Sequence, residues 1–156
     1  MGQRACERLI VDFVRRLDLG DPGSVADLFT ADGVWEWSQG GRRVEGRETL
    51  RAYFGSRPAD RLSRRMMTNI LATVDSATTV SATSYLATYR VDGYIDGMLP
   101  PRLPANVGHY EDTFQKVDGD WLLATRAVFL PFGGDTERLS TPPRRRGRTV
   151  RGVAVE

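Results

Sequence analysis

The segment from Gly108 to Phe129, GHYEDTFQKVDGDWLLATRAVF, constrains the fold of this chain more than any other part of the sequence. At its centre is Asp118-Gly119, a dipeptide typical of the tight turn of a β-hairpin. Because side chains alternate along a strand, one face of the first strand carries Gly108, Tyr110, Asp112 and Phe114. A carboxylate rarely lies between aromatic residues unless it is paired or takes part in chemistry. The pattern therefore predicts a small-molecule pocket on a curved sheet.

The N-terminal third of the chain has the spacing of helices followed by a strand pair. Residues 6–17 place apolar side chains at i, i+3 and i+4, which is the pattern of an amphipathic helix. A second, short helix begins at Asp21-Pro22, with Asp21 as its N-cap and Pro22 in its first position. Residues 34–38 predict a strand, and residues 43–46 predict a shorter strand that pairs with it.

The remainder predicts a third helix over residues 47–55 and long strands over residues 65–74 and 79–91, the latter rich in Thr, Val and Tyr. Residues 92–105 contain three prolines and predict a long loop. Early helices followed by a strand meander predict an α+β fold. We expect a cone-shaped barrel, made of a strongly curved antiparallel sheet wrapped on the N-terminal helices and enclosing a pocket. Everything after Pro131 is predicted as tail.

Length and charge distribution predict one domain with a basic extension. The chain has 156 residues, close to the usual size of one domain, and we assign residues 1–134 to that domain. Residues 135–156 form a Pro- and Arg-rich tail, with five arginines after Pro142-Pro143. Such a tail is usually a solvated extension, and the absence of interleaved aromatic residues argues against a nucleic-acid partner.

Composition also limits the chemistry that we expect. The chain has one cysteine, Cys6, and one histidine, His109, so we predict neither a disulfide within the chain nor a metal site. No glycine-rich phosphate loop is present, and we predict no cofactor. No apolar run is long enough to cross a membrane, and the N-terminus lacks a secretory signal, so the expected location is cytoplasmic.

Asp112 is the strongest candidate for acid/base chemistry. Burial among aromatic residues raises the pKa of a carboxyl group, which can then hold a proton near neutral pH. Arg65 cannot transfer a proton, but its guanidinium can hold an enolate or a carboxylate. Asp18 either takes part in the reaction or forms a structural ion pair with Arg65. Strand alternation places His109 on the face opposite Asp112, although one nearby bulge would reverse that placement.

Three segments resemble a known superfamily: DFVRRLDLGDPGSVADLFTADGVWEW, RRMMTNI and the hairpin segment described above. They look like the SnoaL-like branch of the nuclear transport factor 2-like fold, and the resemblance spans Ala5 to Phe132. This superfamily includes polyketide cyclases, dehydratases, ketosteroid isomerase and non-catalytic proteins. The fold therefore does not identify the reaction, which must be argued from the site.

The resemblance assigns only some of the family's catalytic roles to residues of this chain. Asp18 falls where scytalone dehydratase holds the aspartate of its Asp–His dyad, but the histidine position holds Arg65. Trp37 falls near the tyrosine that polarises the substrate of that enzyme, and Arg90 falls near its second histidine. Asp112 matches the pocket aspartate of ketosteroid isomerase and approximately the acid/base aspartate of SnoaL-type cyclases. The isomerase tyrosine and general base fall at Phe13 and near Trp37, so steroid isomerase chemistry is not expected.

These observations lead to one leading prediction and one alternative. The leading prediction is a cofactor-independent cyclase, dehydratase or isomerase that acts on a hydrophobic, polyketide-like carbonyl compound in secondary metabolism, such as antibiotic biosynthesis. Its predicted catalytic residues are Asp18, Arg65 and Asp112. Its predicted substrate-binding residues are Trp35, Trp37, Tyr53, Asn69, Arg90, Tyr110 and Phe114. The alternative is a non-catalytic protein of the same fold that binds a small molecule or an assembly partner. In either case we expect a homodimer formed through the open face of the sheet.

Overall fold

The computed structural model describes residues 1–140 of the chain. Its elements in chain order are α1 (Gly2–Leu19), a 3-10 helix (Pro22–Leu28), β1 (Phe29–Trp37), a 3-10 turn (Ser38–Gly40), β2 (Arg42–Glu45), α2 (Arg47–Gly55), β3 (Leu62–Val74), β4 (Thr79–Asp92), β5 (Asn106–Val117), β6 (Asp120–Gly133) and β7 (Glu137–Arg138). The predicted order of helices, strand pair, helix and long strands is confirmed. The segment between β4 and β5 is a loop, as its prolines predict.

The first helix follows from its apolar stripe. Ile10, Phe13 and Leu17 are buried against the sheet, as the i, i+3, i+4 spacing predicts. The helix begins four residues before the predicted start. Asp21 caps the next element as predicted, since its side chain accepts a hydrogen bond from the Gly23 backbone N–H at 3.1 Å. That element is a 3-10 helix rather than an α-helix.

The strands form one curled sheet in the order β2-β1-β6-β5-β4-β3, and β7 pairs with β4. The α+β class is confirmed, but the sheet is mixed rather than wholly antiparallel, which corrects the prediction. β1 runs parallel to β6, and β7 runs parallel to β4. Neither pair is joined by a tight turn, so chain connectivity does not impose an antiparallel direction on either. Register shifts in three of the pairings add to the curvature that opens a cavity between sheet and helices.

The β5–β6 hairpin forms as its sequence predicts. Asp118 and Gly119 both have positive φ, at 51° and 87°, which the right-handed twist of a hairpin favours. Along β5, Tyr110, Asp112 and Phe114 are buried while their neighbours are exposed. Gly108 lies at a register shift where an added Cβ would collide with the carbonyl oxygen of Phe129. The strand can therefore pass this point only with glycine.

The end of the domain differs from the prediction. The last long strand continues past Pro131 to Gly133, and β7 then pairs with Val91 and Asp92. Leu139 extends this contact, because its N–H donates to the carbonyl oxygen of Asp92 at 2.8 Å. The first residues of the predicted tail are thus part of the sheet. The arginine-rich segment lies outside the described residues.

The outer face of the sheet carries exposed apolar residues, including Met66 and Tyr85. Association of two copies through this face remains a prediction. No helix among residues 1–140 is long and apolar enough to span a membrane.

Candidate functional site

A cavity of about 700 Å³ lies between the curled sheet and the helices. This volume is typical of a small-molecule site. Its aromatic wall comes from β1, α2 and β5, and consists of Trp35, Trp37, Tyr53, Phe54 and Tyr110. Five arginines also line it: Arg42, Arg57, Arg61, Arg65 and Arg90. The combination of flat apolar surfaces and guanidinium groups suits a planar ligand that carries electron-rich oxygen atoms.

Asp18, at the end of α1, and Arg65, on β3, form one of two ion pairs that are buried within residues 1–140. Arg65 Nη1 donates to Asp18 Oδ1 at 2.6 Å, and the Arg65 backbone N–H donates to Oδ2 at 2.7 Å. Ser63 Oγ adds a third hydrogen bond to Oδ1 at 2.7 Å. The Arg65 and Asp18 side chains are only 8% and 5% exposed, yet Arg65 lines the cavity. Both oxygens of Asp18 accept hydrogen bonds from Arg65, and these bonds hold Arg65 at the cavity wall.

Asp112 forms the second buried ion pair, with Arg126 on the neighbouring strand β6. Arg126 Nη1 donates to Asp112 Oδ2 at 2.7 Å, and both side chains are completely inaccessible to solvent. Burial raises the pKa of Asp112 to about 6, and the charge of Arg126 limits that rise. Asp112 does not line the cavity. This corrects its predicted place in the pocket: the inward face of β5 continues into the core beyond the cavity floor.

Arg126 connects this pair to the cavity through Tyr110. Its guanidinium carbon lies 3.6 Å from the centre of the Tyr110 ring and 4.5 Å from that of Phe13. Both contacts are cation–π interactions, which strengthen when the cation is desolvated. Tyr110 itself lines the cavity. The pair of Asp112 and Arg126 therefore fixes the position of Tyr110 rather than reaching a ligand directly.

The aromatic wall belongs partly to the hydrophobic core and partly to the cavity surface. Trp35 belongs to the hydrophobic core and also lines the cavity, with its ring 5.4 Å from that of Tyr53. Trp37 packs against the core but is only partly buried. Tyr53 and Trp37 thus have apolar surface available to a ligand. Tyr53 is placed in the cavity as predicted.

Two predicted substrate-binding residues lie elsewhere, and their predicted placement was wrong. Asn69 is exposed, at a register shift of β3 where its φ is 51°. Asparagine tolerates this left-handed conformation better than most residues, which explains its presence there. Phe114 is fully buried in the hydrophobic core. It shares a strand face with Tyr110, but it lies two alternations further from the cavity.

Arg90 and His109 lie on opposite faces of the sheet. Arg90 is half-buried and lines the cavity, and its Nε donates to Thr136 Oγ1 at 2.8 Å. His109 is on the outer face, as predicted, with its ring stacked 4.9 Å from that of Phe129. The nearby register shift does not turn it inward, because it falls before His109 along β5.

Sequence reasoning missed Arg126 and three of the cavity arginines. A hairpin turning at residues 118 and 119 brings Asp112 opposite residues 125 and 126, so Arg126 in an otherwise apolar strand was the available signal. Arg42, Arg57 and Arg61 lie in loops or at strand ends, where arginine is common and spacing carries no information. In the part of the chain that the structure describes, no His, Cys, Asp and Glu side chains cluster as metal ligands.

Comparison with known proteins gives the family. A family model of the SnoaL-like domain matches residues 3–127. A search of curated proteins gives no match. Among solved structures, a protein from Novosphingobium aromaticivorans assigned provisionally as a scytalone dehydratase is 23% identical, with a TM-score of 0.69 over 93% of this chain and 94% of its own. ActVI-ORFA from Streptomyces coelicolor is 22% identical, with a TM-score of 0.69 over 84% of this chain and 98% of its own.

A Catenulispora acidiphila protein, solved in complex with S-DNPA, is 25% identical, with a TM-score of 0.64 over 81% of this chain and 91% of its own. The first two similarities show the shared fold, and the family model covers most of the chain. The matched residues include nearly all of α1, every element from the first 3-10 helix to β5, and the first part of β6, whereas the cavity-lining residues from Val128 onward lie beyond them. This chain belongs to the SnoaL-like domain family.

Proposed function

We propose that this protein is a cofactor-independent enzyme that cyclises, dehydrates or isomerises a hydrophobic, polyketide-like carbonyl compound. The observation that carries the proposal is the guanidinium of Arg65, held at the cavity wall by Asp18 and facing a cavity with aromatic walls. A cation fixed in a site that excludes water stabilises developing negative charge more strongly than a cation in solvent.

In the proposed reaction, the planar part of the substrate lies against Trp37 and Tyr53. A proton leaves the carbon next to the substrate carbonyl, and the electron pair moves onto the carbonyl oxygen. Arg65 donates hydrogen bonds to that oxygen and stabilises the enolate. We propose that a water molecule in the cavity accepts the proton that leaves the carbon. The hydroxyl of Tyr110 donates a proton to the substrate atom that gains one and is reprotonated from that water, because tyrosine can act as an acid or a base. Asp112 and Arg126 act indirectly, by positioning Tyr110.

One observation favours a second candidate, a protein that binds the same class of compound without converting it. The position of the dyad histidine holds Arg65, and an arginine remains protonated and cannot take a proton from carbon. No histidine lines the cavity among the described residues. On this hypothesis, the aromatic wall and the arginines provide affinity only.

Mass spectrometry separates the two candidates. We would incubate the protein with a panel of aromatic and polyketide-like carbonyl compounds, including S-DNPA because a similar protein binds it. Bound ligand and product mass are both followed. An altered product of unchanged mass indicates cyclisation or isomerisation, and the loss of one water indicates dehydration.

The control is the variant Arg65→Gln. An enzyme should lose conversion in this variant while remaining folded. A compound that binds the wild-type protein and is recovered unaltered would support the binding protein and contradict the proposed reaction.

A further inference from the structure

We infer that the ligand of this cavity carries a carboxylate, and that Arg57 and Arg90 bind it. The inference rests on the proposed function of the cavity as the substrate site, and it adds the chemical class of the substrate. The two arginines come from separate elements: Arg57 follows α2, and Arg90 is close to the end of β4. Both line the cavity.

Five arginines line the cavity, and within residues 1–140 they outnumber the carboxylates that pair with them or line the cavity, which are Asp18, Asp92 and Asp135. Arg65 is paired with Asp18, and Arg61 is paired with Asp92 through contacts of 2.7 and 3.1 Å. Within residues 1–140, Arg57 and Arg90 have no carboxylate partner. The one recorded side-chain hydrogen bond of Arg90 uses Nε, so its two terminal nitrogens are available to a ligand.

Like charges surround Arg57 while water is partly excluded. Its half-buried guanidinium experiences repulsion from Arg61, Arg65 and Arg90. Burial is the largest cause that lowers the pKa of Arg57, and the repulsion lowers it further; burial and the charges of Arg61 and Arg65 likewise lower the pKa of Arg90. On an ordinary protein surface, arginine side chains extend into solvent or pair with acidic residues. Cations that a fold holds together at a free-energy cost, in a cavity, are typical of a site that recognises an anion.

The chemistry of the cavity favours a carboxylate on an aromatic or otherwise planar body. Guanidinium groups bind carboxylates through parallel hydrogen bonds in one plane. The flat side chains of Trp37 and Tyr53 line the same cavity. A ligand with an acidic group at one end and a fused ring system at the other would occupy both parts of the cavity.

Isothermal titration calorimetry with 2-naphthoate and its uncharged analogue 2-naphthamide tests the inference. Neither probe needs to react, so the result is independent of whether the protein is an enzyme. We expect wild-type protein to bind 2-naphthoate at least about tenfold more tightly than 2-naphthamide, since hydrogen bonds between a guanidinium and a carboxylate are stronger than those to a neutral amide. The preference should weaken as salt is added.

The decisive variants are Arg57→Gln and Arg90→Gln, each of which should lose most of the preference while still binding 2-naphthamide. Arg8→Gln is the matched control, because Arg8 is exposed on α1 and does not line the cavity. Arg57→Gln should also melt at a higher temperature than the wild-type protein without ligand, because the repulsion is relieved. If one variant fails to fold, the other still decides the result.

Three results would overturn the inference: equal binding of the two probes, a preference that survives both substitutions, or no binding of 2-naphthoate at millimolar concentration. Preferential naphthoate binding combined with no conversion of any compound in the panel would instead preserve the carboxylate site and contradict the proposed reaction.

Discussion

The two buried ion pairs of this domain have the same chemistry and different surroundings. Asp112 and Arg126 are sealed completely, whereas Asp18 and Arg65 retain slight exposure and Arg65 lines the cavity. Asp18 receives three hydrogen bonds, whereas Asp112 Oδ1 and two nitrogens of Arg126 have no partner among the described residues. One pair is therefore incompletely satisfied inside the core, whereas the carboxylate of the other accepts hydrogen bonds on both oxygens at the wall of a cavity.

The difference teaches that the type of residue does not decide whether a buried pair reaches a cavity; its position along the packed sheet does. A carboxylate on an aromatic strand face satisfies every sequence criterion for catalysis, and Asp112 still does not reach the cavity. Its effect on a ligand can pass only through the ring of Tyr110, which Arg126 contacts. Arg65 can touch the ligand itself, so we expect substitutions in the two pairs to affect different properties.

The largest effect should come from breaking the sealed pair. Asp112→Asn leaves Arg126 charged and without its partner, which should lower the free energy of unfolding by about 3–5 kcal/mol. Replacing both residues by leucine should cost far less, because no charge then remains buried. Urea denaturation of the single and double variants measures the difference. Equal losses in both would mean that the pair itself stabilises the fold.

At the cavity wall, Arg65→Gln should instead reduce kcat/KM by about 10²–10³-fold, the cost of losing one stabiliser of a developing oxyanion. Its loss of stability should be smaller than that of Asp112→Asn. Arg65→Lys keeps the charge but not the planar fork, so it should recover part of the activity. The measurement is steady-state kinetics on a compound that the wild-type protein converts. Full activity in Arg65→Gln would contradict the expectation that the pair at the cavity wall affects turnover while the sealed pair affects stability.

The sealed pair should also produce a pH dependence of stability. The folded-state pKa of Asp112 is raised from 3.8 to about 6, so between these values the folded state holds a proton that the unfolded state releases. Its contribution to stability is therefore full below pH 3.8 and is lost as the pH rises through about 6. Denaturation of the wild-type protein and of the double leucine variant across this range isolates the effect. A wild-type stability that rises relative to the variant would contradict the raised pKa.

The smallest effect is expected outside both pairs, at His109. Its side chain lies on the outer face of the sheet and is 37% exposed. His109→Ala should change the free energy of unfolding by no more than about 0.5 kcal/mol and leave turnover unchanged. Denaturation and kinetics of this variant provide the baseline for the others. A large loss of turnover would place a catalytic role on the outer face.

Local patterns predicted much of this molecule because they act over short stretches of chain. The turn at Asp118 and Gly119 follows from backbone conformational preference, and the inward face of α1 follows from helical periodicity. Tyr53, Trp37 and Arg65 were assigned to the cavity correctly. The parallel pairing of β1 with β6 was not predictable in this way, because those strands are far apart in sequence and no turn connects them.

The sequence by itself determined the family, the order of helices and strands, and the alternation that points Tyr110, Asp112 and Phe114 inward. Only the tertiary structure decided how far along that inward face the cavity extends. It ends at Tyr110, and the next two inward residues belong to the core. The tertiary structure also decided that arginines from the loop after α2, from β3 and from β4 line one cavity. The physical reason is that alternation and turn preference are local, whereas the depth of a cavity depends on how a curved sheet packs against helices from distant parts of the chain.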